Sequence, residues 1–140
     1  MILTFEARRL SNLFMIEKRV LIVDDALIMR RRIAAIAIHC GWSIAGEAGD
    51  GKEAVKLYRE TRPDLVTLDI VMPRMDGVNA LREIRELDPQ AKVVMVTAVN
   101  QKEKLAECIG LGAVDFIVKP FEKENLVQFF EKVLASEPSR

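Results

Sequence analysis

Five polar residues each stand just after a short apolar run. Asp24 and Asp25 follow residues 20–23, Asp69 follows 65–68, Thr97 follows 93–96, and Lys119 follows 116–118. Three carboxylates brought together repel one another, and a divalent cation relieves that repulsion. Mg²⁺ takes hard oxygen ligands at about 2.0–2.1 Å and keeps several waters, so two direct carboxylates suffice to hold it. Beside such a centre Asp69 can serve as a nucleophile that forms an acyl phosphate. Lys119 then offers a cation, and the Thr97 hydroxyl a hydrogen bond, to phosphoryl oxygens. Chemistry of this kind is positioning plus charge stabilisation, and it requires that all five side chains meet at one edge.

The surrounding pattern supplies such an edge. Residues 20–23 are apolar on both faces and rich in β-branched side chains, as a strand buried on both sides reads. Met29, Ile33, Ile36, Ala37 and Cys40 then recur at helical spacing, and Gly41 closes that helix. The unit repeats. Strands are expected at 43–48, 65–69, 92–96 and 116–118, and helices at about 51–61, from 77 to the stop at Asp88-Pro89, and at 101–109. A last helix carries Leu126, Phe129, Phe130, Val133 and Leu134 on one face. Five strand–helix units with short links imply an α/β fold with a parallel sheet covered by helices on both faces. In such a sheet ligands bind beyond the carboxyl ends of the strands, where the polar residues fall.

Bulk properties narrow the function. The 140 residues are 50% hydrophobic, enough for one domain with a continuous core. Twenty-one basic residues balance twenty-one acidic ones, so no global field favours nucleic acid or an anionic membrane. Cys40 and Cys108 lack metal-ligand spacing and fit a reduced, cytoplasmic compartment. Residues 1–17 form an N-terminal extension without the layout of a secretory signal, read as disordered or as added by a start upstream of Met15, with a short docking helix as the alternative. The domain is expected at 18–136, followed by a polar tail at 137–140.

Several features carry a bland reading. Asp24-Asp25 can cap the first helix. Arg30, Arg31 and Arg32 read as a solvated face beside the acidic pocket, the lone His39 has no ligand cluster, and Trp42 packs a turn. The segment from Gly46 to Lys52 fits G-x-x-x-x-G-K, the start of a phosphate-binding loop, but Glu53 stands where Ser or Thr must hold Mg²⁺. Glu47 and Asp50 would repel phosphate, and Gly46 falls inside the expected strand. That segment is therefore read as a strand and turn feeding a helix.

Four segments taken together carry a resemblance: Leu-Ile-Val-Asp-Asp at 21–25, Leu-Asp-Ile-Val-Met-Pro-Arg-Met-Asp-Gly at 68–77, Val-Thr-Ala at 96–98 and Val-Lys-Pro-Phe at 118–121. In this order and spacing they resemble two-component receiver domains, with the greatest likeness to the single-domain chemotaxis type. The resemblance implies a flavodoxin-like (βα)5 fold of strand order 2-1-3-4-5. It implies phosphorylation at Asp69, and Mg²⁺ held by Asp25, Asp69 and the Val71 backbone carbonyl, with Asp24 acting through a water. Thr97, Lys119 and the Ala98 backbone would bind the phosphoryl group, Thr97 and Phe116 would form the switch pair, and Pro120 would follow a cis peptide. Phe116 lacks the phenol of many chemotaxis members. The implied donor is a sensor histidine kinase, and the readout surface would be 101–134, addressed to a flagellar motor switch protein or, in a relay, to a histidine phosphotransfer protein. Such a protein is a phosphoacceptor switch that assists its own phosphorylation and dephosphorylation. A phosphatase of the haloacid dehalogenase type would carry a D-x-D motif after the first strand, and a flavodoxin-like cofactor binder a Ser/Thr-rich loop there. Neither is present.

Overall fold

The computed structural model describes residues 17–136; the expectations for 1–16 and 137–140 lie outside the described residues. Strand β1 (Arg19–Val23) leads to helix α1 (Leu27–His39), β2 (Ser43–Ala48) to α2 (Gly51–Thr61), β3 (Leu65–Leu68) to α3 (Gly77–Leu87), β4 (Val93–Ala98) to α4 (Lys102–Gly110), and β5 (Asp115–Lys119) to α5 (Lys123–Ser136). All strand pairs are parallel, in the order β2-β1-β3-β4-β5. The fold is therefore the flavodoxin-like one expected, and the element bounds differ from the expected ones by a residue or two at most ends. β4 runs two residues further than its apolar run suggests, because Thr97 and Ala98 still pair with Val118 and Lys119.

Side-chain alternation along the strands divides the core in two. Leu21 and Val23 face one layer with Val66, Leu68, Val93 and Met95, and α2, α3 and α4 cover it through Tyr58, Leu81, Ile84 and Cys108. Val20, Ile22, Leu65, Val94 and Val96 face the other, covered by α1 and α5 through Ile33, Ala37, Leu126 and Phe130. Trp42 is buried in this second layer, its ring centroid 5.4 Å from that of Phe130. Both layers follow from a period of two in the strands meeting a period of 3.6 in the helices.

Polar contacts tie neighbouring helices together. The Tyr58 hydroxyl of α2 donates to Asp88 Oδ2, 2.7 Å away at the end of α3. That hydrogen bond, with the Gln90 amide, holds the Asp88 carboxyl below its ordinary value. A depressed folded-state value stabilises above the ordinary carboxylate range and is lost as pH falls through the folded value. Tyr58→Phe is accordingly expected to cost about 1 kcal/mol at pH 5–7, and urea midpoints of the two proteins should converge as the pH falls through the depressed Asp88 value. A difference that stays constant to the lowest pH would assign the effect to packing alone.

Candidate functional site

Strand register brings the predicted residues to one rim. Val23 pairs with Leu68, so Asp24 and Asp69 leave the sheet side by side. Their amides continue the ladder, Asp24 N–H to Ala48 O and Asp69 N–H to Val23 O, each at 3.0 Å. Lys119, the last residue of β5, reaches back to both, its Nζ lying 2.5 Å from Asp24 Oδ2 and 3.0 Å from Asp69 Oδ2. Asp24 and Asp69 are buried, whereas Asp25 is exposed at the mouth. Carboxylate oxygens of Asp24, Asp25 and Asp69 all lie within 4.8 Å of one another.

Three carboxylates face one ammonium here. Burial alone would lower the Lys119 value, but the hydrogen bond it donates to Asp24, with the charge of Asp69 and the hydrogen bond donated to it, outweighs burial and holds the ammonium above its ordinary value. Lys119 is therefore charged at neutral pH and is the counter-ion of the cluster. The set of hard oxygen donors, crowded and only partly neutralised, fits a divalent cation of the Mg²⁺ kind.

Thr97 lies at the same rim but hydrogen-bonds to none of these groups. It is 1% exposed, and its Oγ1 has no partner among the described atoms. A buried hydroxyl in that condition is uncommon and invites a ligand or water. Ala98, opposite Lys119 in the register, is exposed. Val71, two residues past Asp69, and Val99, two past Thr97, are also exposed. Phe116 is 46% exposed, and the register places Phe116 and Val118 on the same face of the sheet as Thr97. The Lys119–Pro120 peptide is cis.

Two bland readings change. The N-cap of α1 is Ala26, with no side-chain cap, so Asp24-Asp25 do not cap it; Asp24 Oδ1 instead accepts from the Ala26 amide at 2.9 Å, closing a local turn. Arg30 is no solvated residue: its Nη1 donates to the Asp24 carbonyl at 2.7 Å and its Nε to Glu47 at 3.2 Å. Arg32 lies over the Phe121 ring, 4.5 Å from its centroid, and donates to the Phe121 carbonyl. Arg30 thus braces the β1–α1 turn, a role that spacing along α1 does not reveal because its partner is a backbone oxygen. The Gly46–Lys52 segment behaves as expected, with Gly46 inside β2 and Asp50 capping α2 by accepting from the Glu53 amide at 2.9 Å.

The loop from Asp69 to Gly77 ends on a residue that the sequence reading noted only as a motif letter and a helix start, without its steric role. Gly77 donates its amide to the Ile70 carbonyl at 2.7 Å, and a Cβ there would stand 1.9 Å from the Asp69 carbonyl oxygen. Only glycine lets α3 begin directly beneath the candidate nucleophile. An Asp-Gly pair at a helix start was the available signal, since Asp76 caps α3 through the Asn79 amide.

Against known families, residues 20–131 match the model of the response regulator receiver domain. The chain belongs to that family. Among curated proteins this receiver is 48% identical over 116 residues to the chemotaxis protein CheY of Thermotoga maritima, spanning 83% of the present chain and 97% of that protein. It is 51% identical, over the same shares, to protein CcdB of Bacillus subtilis. Among solved structures it resembles a chain of the CheX–CheY–BeF3–Mg²⁺ complex from Borrelia burgdorferi, at 38% identity and a TM-score of 0.79 over 84% of the receiver and 89% of that chain. Within the described residues of the receiver no helix is long and apolar enough to cross a membrane. Both cysteines are free, and burial raises their thiols, Cys108 to about 11, which leaves them poor nucleophiles.

Proposed function

We propose that this receiver is a chemotaxis-type phosphoacceptor switch in which Asp69 takes a phosphoryl group from the phosphohistidine of a sensor kinase. A carboxylate oxygen of Asp69 attacks phosphorus, the P–N bond breaks, and its electron pair returns to the departing imidazole, leaving an acyl phosphate on Asp69. The observation that carries this reading is Lys119 Nζ lying between Asp24 and Asp69, a cation held at the nucleophile by two carboxylates. Mg²⁺, held by Asp25, Asp69 and the Val71 carbonyl with Asp24 through a water, would supply the positive charge that offsets the phosphoryl oxygens. Lys119 can turn toward those oxygens without losing its Asp24 partner. Thr97, whose hydroxyl lacks a partner, gains one by donating to the phosphoryl group, with the exposed Ala98 backbone beside it. Movement of Thr97 toward the phosphoryl group opens space on its face of the sheet, and the half-exposed Phe116 ring is placed to fill it. That motion would rework the 101–134 surface, where the partner is a flagellar motor switch protein. The chemotaxis names of relatives such as the Thermotoga maritima protein support this pathway. The domain would occupy 18–136. The test is intact-mass measurement after incubation with acetyl phosphate and Mg²⁺: one phosphate adduct is expected, and none without the metal.

Lifetime of the acyl phosphate depends on access of water past Val71 and Val99, both exposed and apolar. Neither can orient a hydrolytic water through a polar side chain. Val71→Asn is therefore expected to hydrolyse its phosphate severalfold faster than the parent, measured as loss of the adduct after quenching the donor. Equal or slower decay would refute this account of the lifetime.

A further inference from the structure

The segment that imitates a phosphate-binding loop makes an unexpected contact with the acceptor loop. Asp50 is 4% exposed, and its two carboxylate oxygens divide their work. Oδ1 caps α2, while Oδ2 accepts from Arg74 Nε at 2.8 Å and Nη2 at 2.7 Å. Arg74 lies midway along the loop from Asp69 to Gly77, with φ of 64°, a left-handed conformation that costs a residue bearing Cβ about 1 kcal/mol or more. Next to it the Gly51 amide donates to the Met75 carbonyl at 2.9 Å, so close that a Cβ on Gly51 would stand 2.4 Å from that oxygen. The acceptor loop is therefore clamped from the β2–α2 turn by a forked ion pair and a backbone hydrogen bond. Arg74 itself is largely exposed and packs no core, so the clamp is not explained by burial.

We propose that Asp50 and Arg74 are positioning residues for phosphoryl acceptance, fixing the course of the loop that carries Asp69 and the Val71 carbonyl. The proposal rests on the reading of Asp69 as the acceptor and of that carbonyl as a cation ligand. Groups that hold ligands in place without touching the metal govern affinity and rate by about 10–100-fold in metal sites generally. Two guanidinium nitrogens converging on one buried carboxylate oxygen suit this task, because charge-assisted hydrogen bonds are roughly twice as strong as neutral ones. The strained backbone at Arg74 implies that the loop relaxes elsewhere once the pair is gone.

Two substitutions separate positioning from folding. Asp50→Asn keeps a good helix cap but loses the charged fork, and Arg74→Gly relieves the backbone while deleting the guanidinium. Each variant is expected to keep its urea midpoint close to that of the parent, to bind Mg²⁺ about tenfold more weakly by calorimetry, and to form the acetyl-phosphate adduct about tenfold more slowly at saturating Mg²⁺. The double variant should be no worse than either single one, since both remove the same contact. Variants within twofold of the parent in both readouts, strictly multiplicative losses, or losses explained by a lowered urea midpoint would each overturn the proposal. A parent protein that forms no Mg²⁺-dependent adduct would instead remove the acceptor reading on which it rests.

Discussion

Asp69→Asn is expected to abolish the phosphate adduct, to remove most of the thermal stabilisation by Mg²⁺, and to raise the stability of the metal-free protein by about 1–2 kcal/mol. The first effect follows from losing the nucleophile, since a neutral amide cannot replace a carboxylate oxygen in attack on phosphorus. The third follows from charge. Three carboxylates within 4.8 Å share one ammonium, so removing one negative charge relieves repulsion that Lys119 offsets only in part. Lys119 is not stranded, because it keeps Asp24 at 2.5 Å, and the Asn carbonyl can still accept from the Ile70 amide that now donates to Asp69 Oδ1 at 2.7 Å. Intact mass gives the first readout and melting curves with and without Mg²⁺ the others. An adduct on the Asn variant would move the chemistry to another residue, and a less stable metal-free variant would show that the cluster is a structural ion pair and not a site held under electrostatic strain.

Gly77→Ala is expected to be the most damaging small substitution in the acceptor loop, at about 3 kcal/mol or more. Its Cβ would stand 1.9 Å from the Asp69 carbonyl oxygen and 2.8 Å from the Ile70 Cα, and these are backbone atoms at the end of a fully buried strand, with no rotamer through which to escape. Either α3 withdraws and breaks the Gly77-to-Ile70 hydrogen bond, or the end of β3 moves and takes Asp69 with it. Adduct formation should fall with stability in either case. Gly110 is the control: nothing lies within 4 Å of a Cβ built there, so Gly110→Ala should leave the urea midpoint within about 1 kcal/mol of the parent in equivalent stability. Matching midpoints for the two variants would mean that the loop accommodates a methyl group that the geometry excludes.

These two positions also mark how far sequence reasoning reaches. Asp69 was legible because it ends an apolar run, as Asp24, Thr97 and Lys119 do, and a chain of alternating strand and helix periods places all such ends on one rim. Gly77 was visible only as part of a motif, since its need arises from the Asp69 carbonyl eight residues earlier meeting a helix start in space. Arg30 and Arg32 read as surface charge and Arg74 only as one letter of a motif, because along the sequence nothing distinguishes an arginine facing water from one whose guanidinium finds a carbonyl, a ring or a carboxylate across a turn. The cap reading of Asp24-Asp25 failed for a related reason: helix α1 begins one residue later than a cap at Asp25 would require, and the Asp24 carboxylate is drawn into the turn by the Ala26 amide.

By itself the order of residues determined the ten elements, their sequence and the faces they bury, because periods of 2 and 3.6 are local properties of a chain. Tertiary structure alone decided that Lys119 should close on Asp24, 95 residues away, and on Asp69, 50 residues away, and that Asp50 should reach across to Arg74. Those meetings depend on strand order, register and the last few degrees of loop geometry, which are set by packing the whole sheet at once and leave no periodic trace in any one segment.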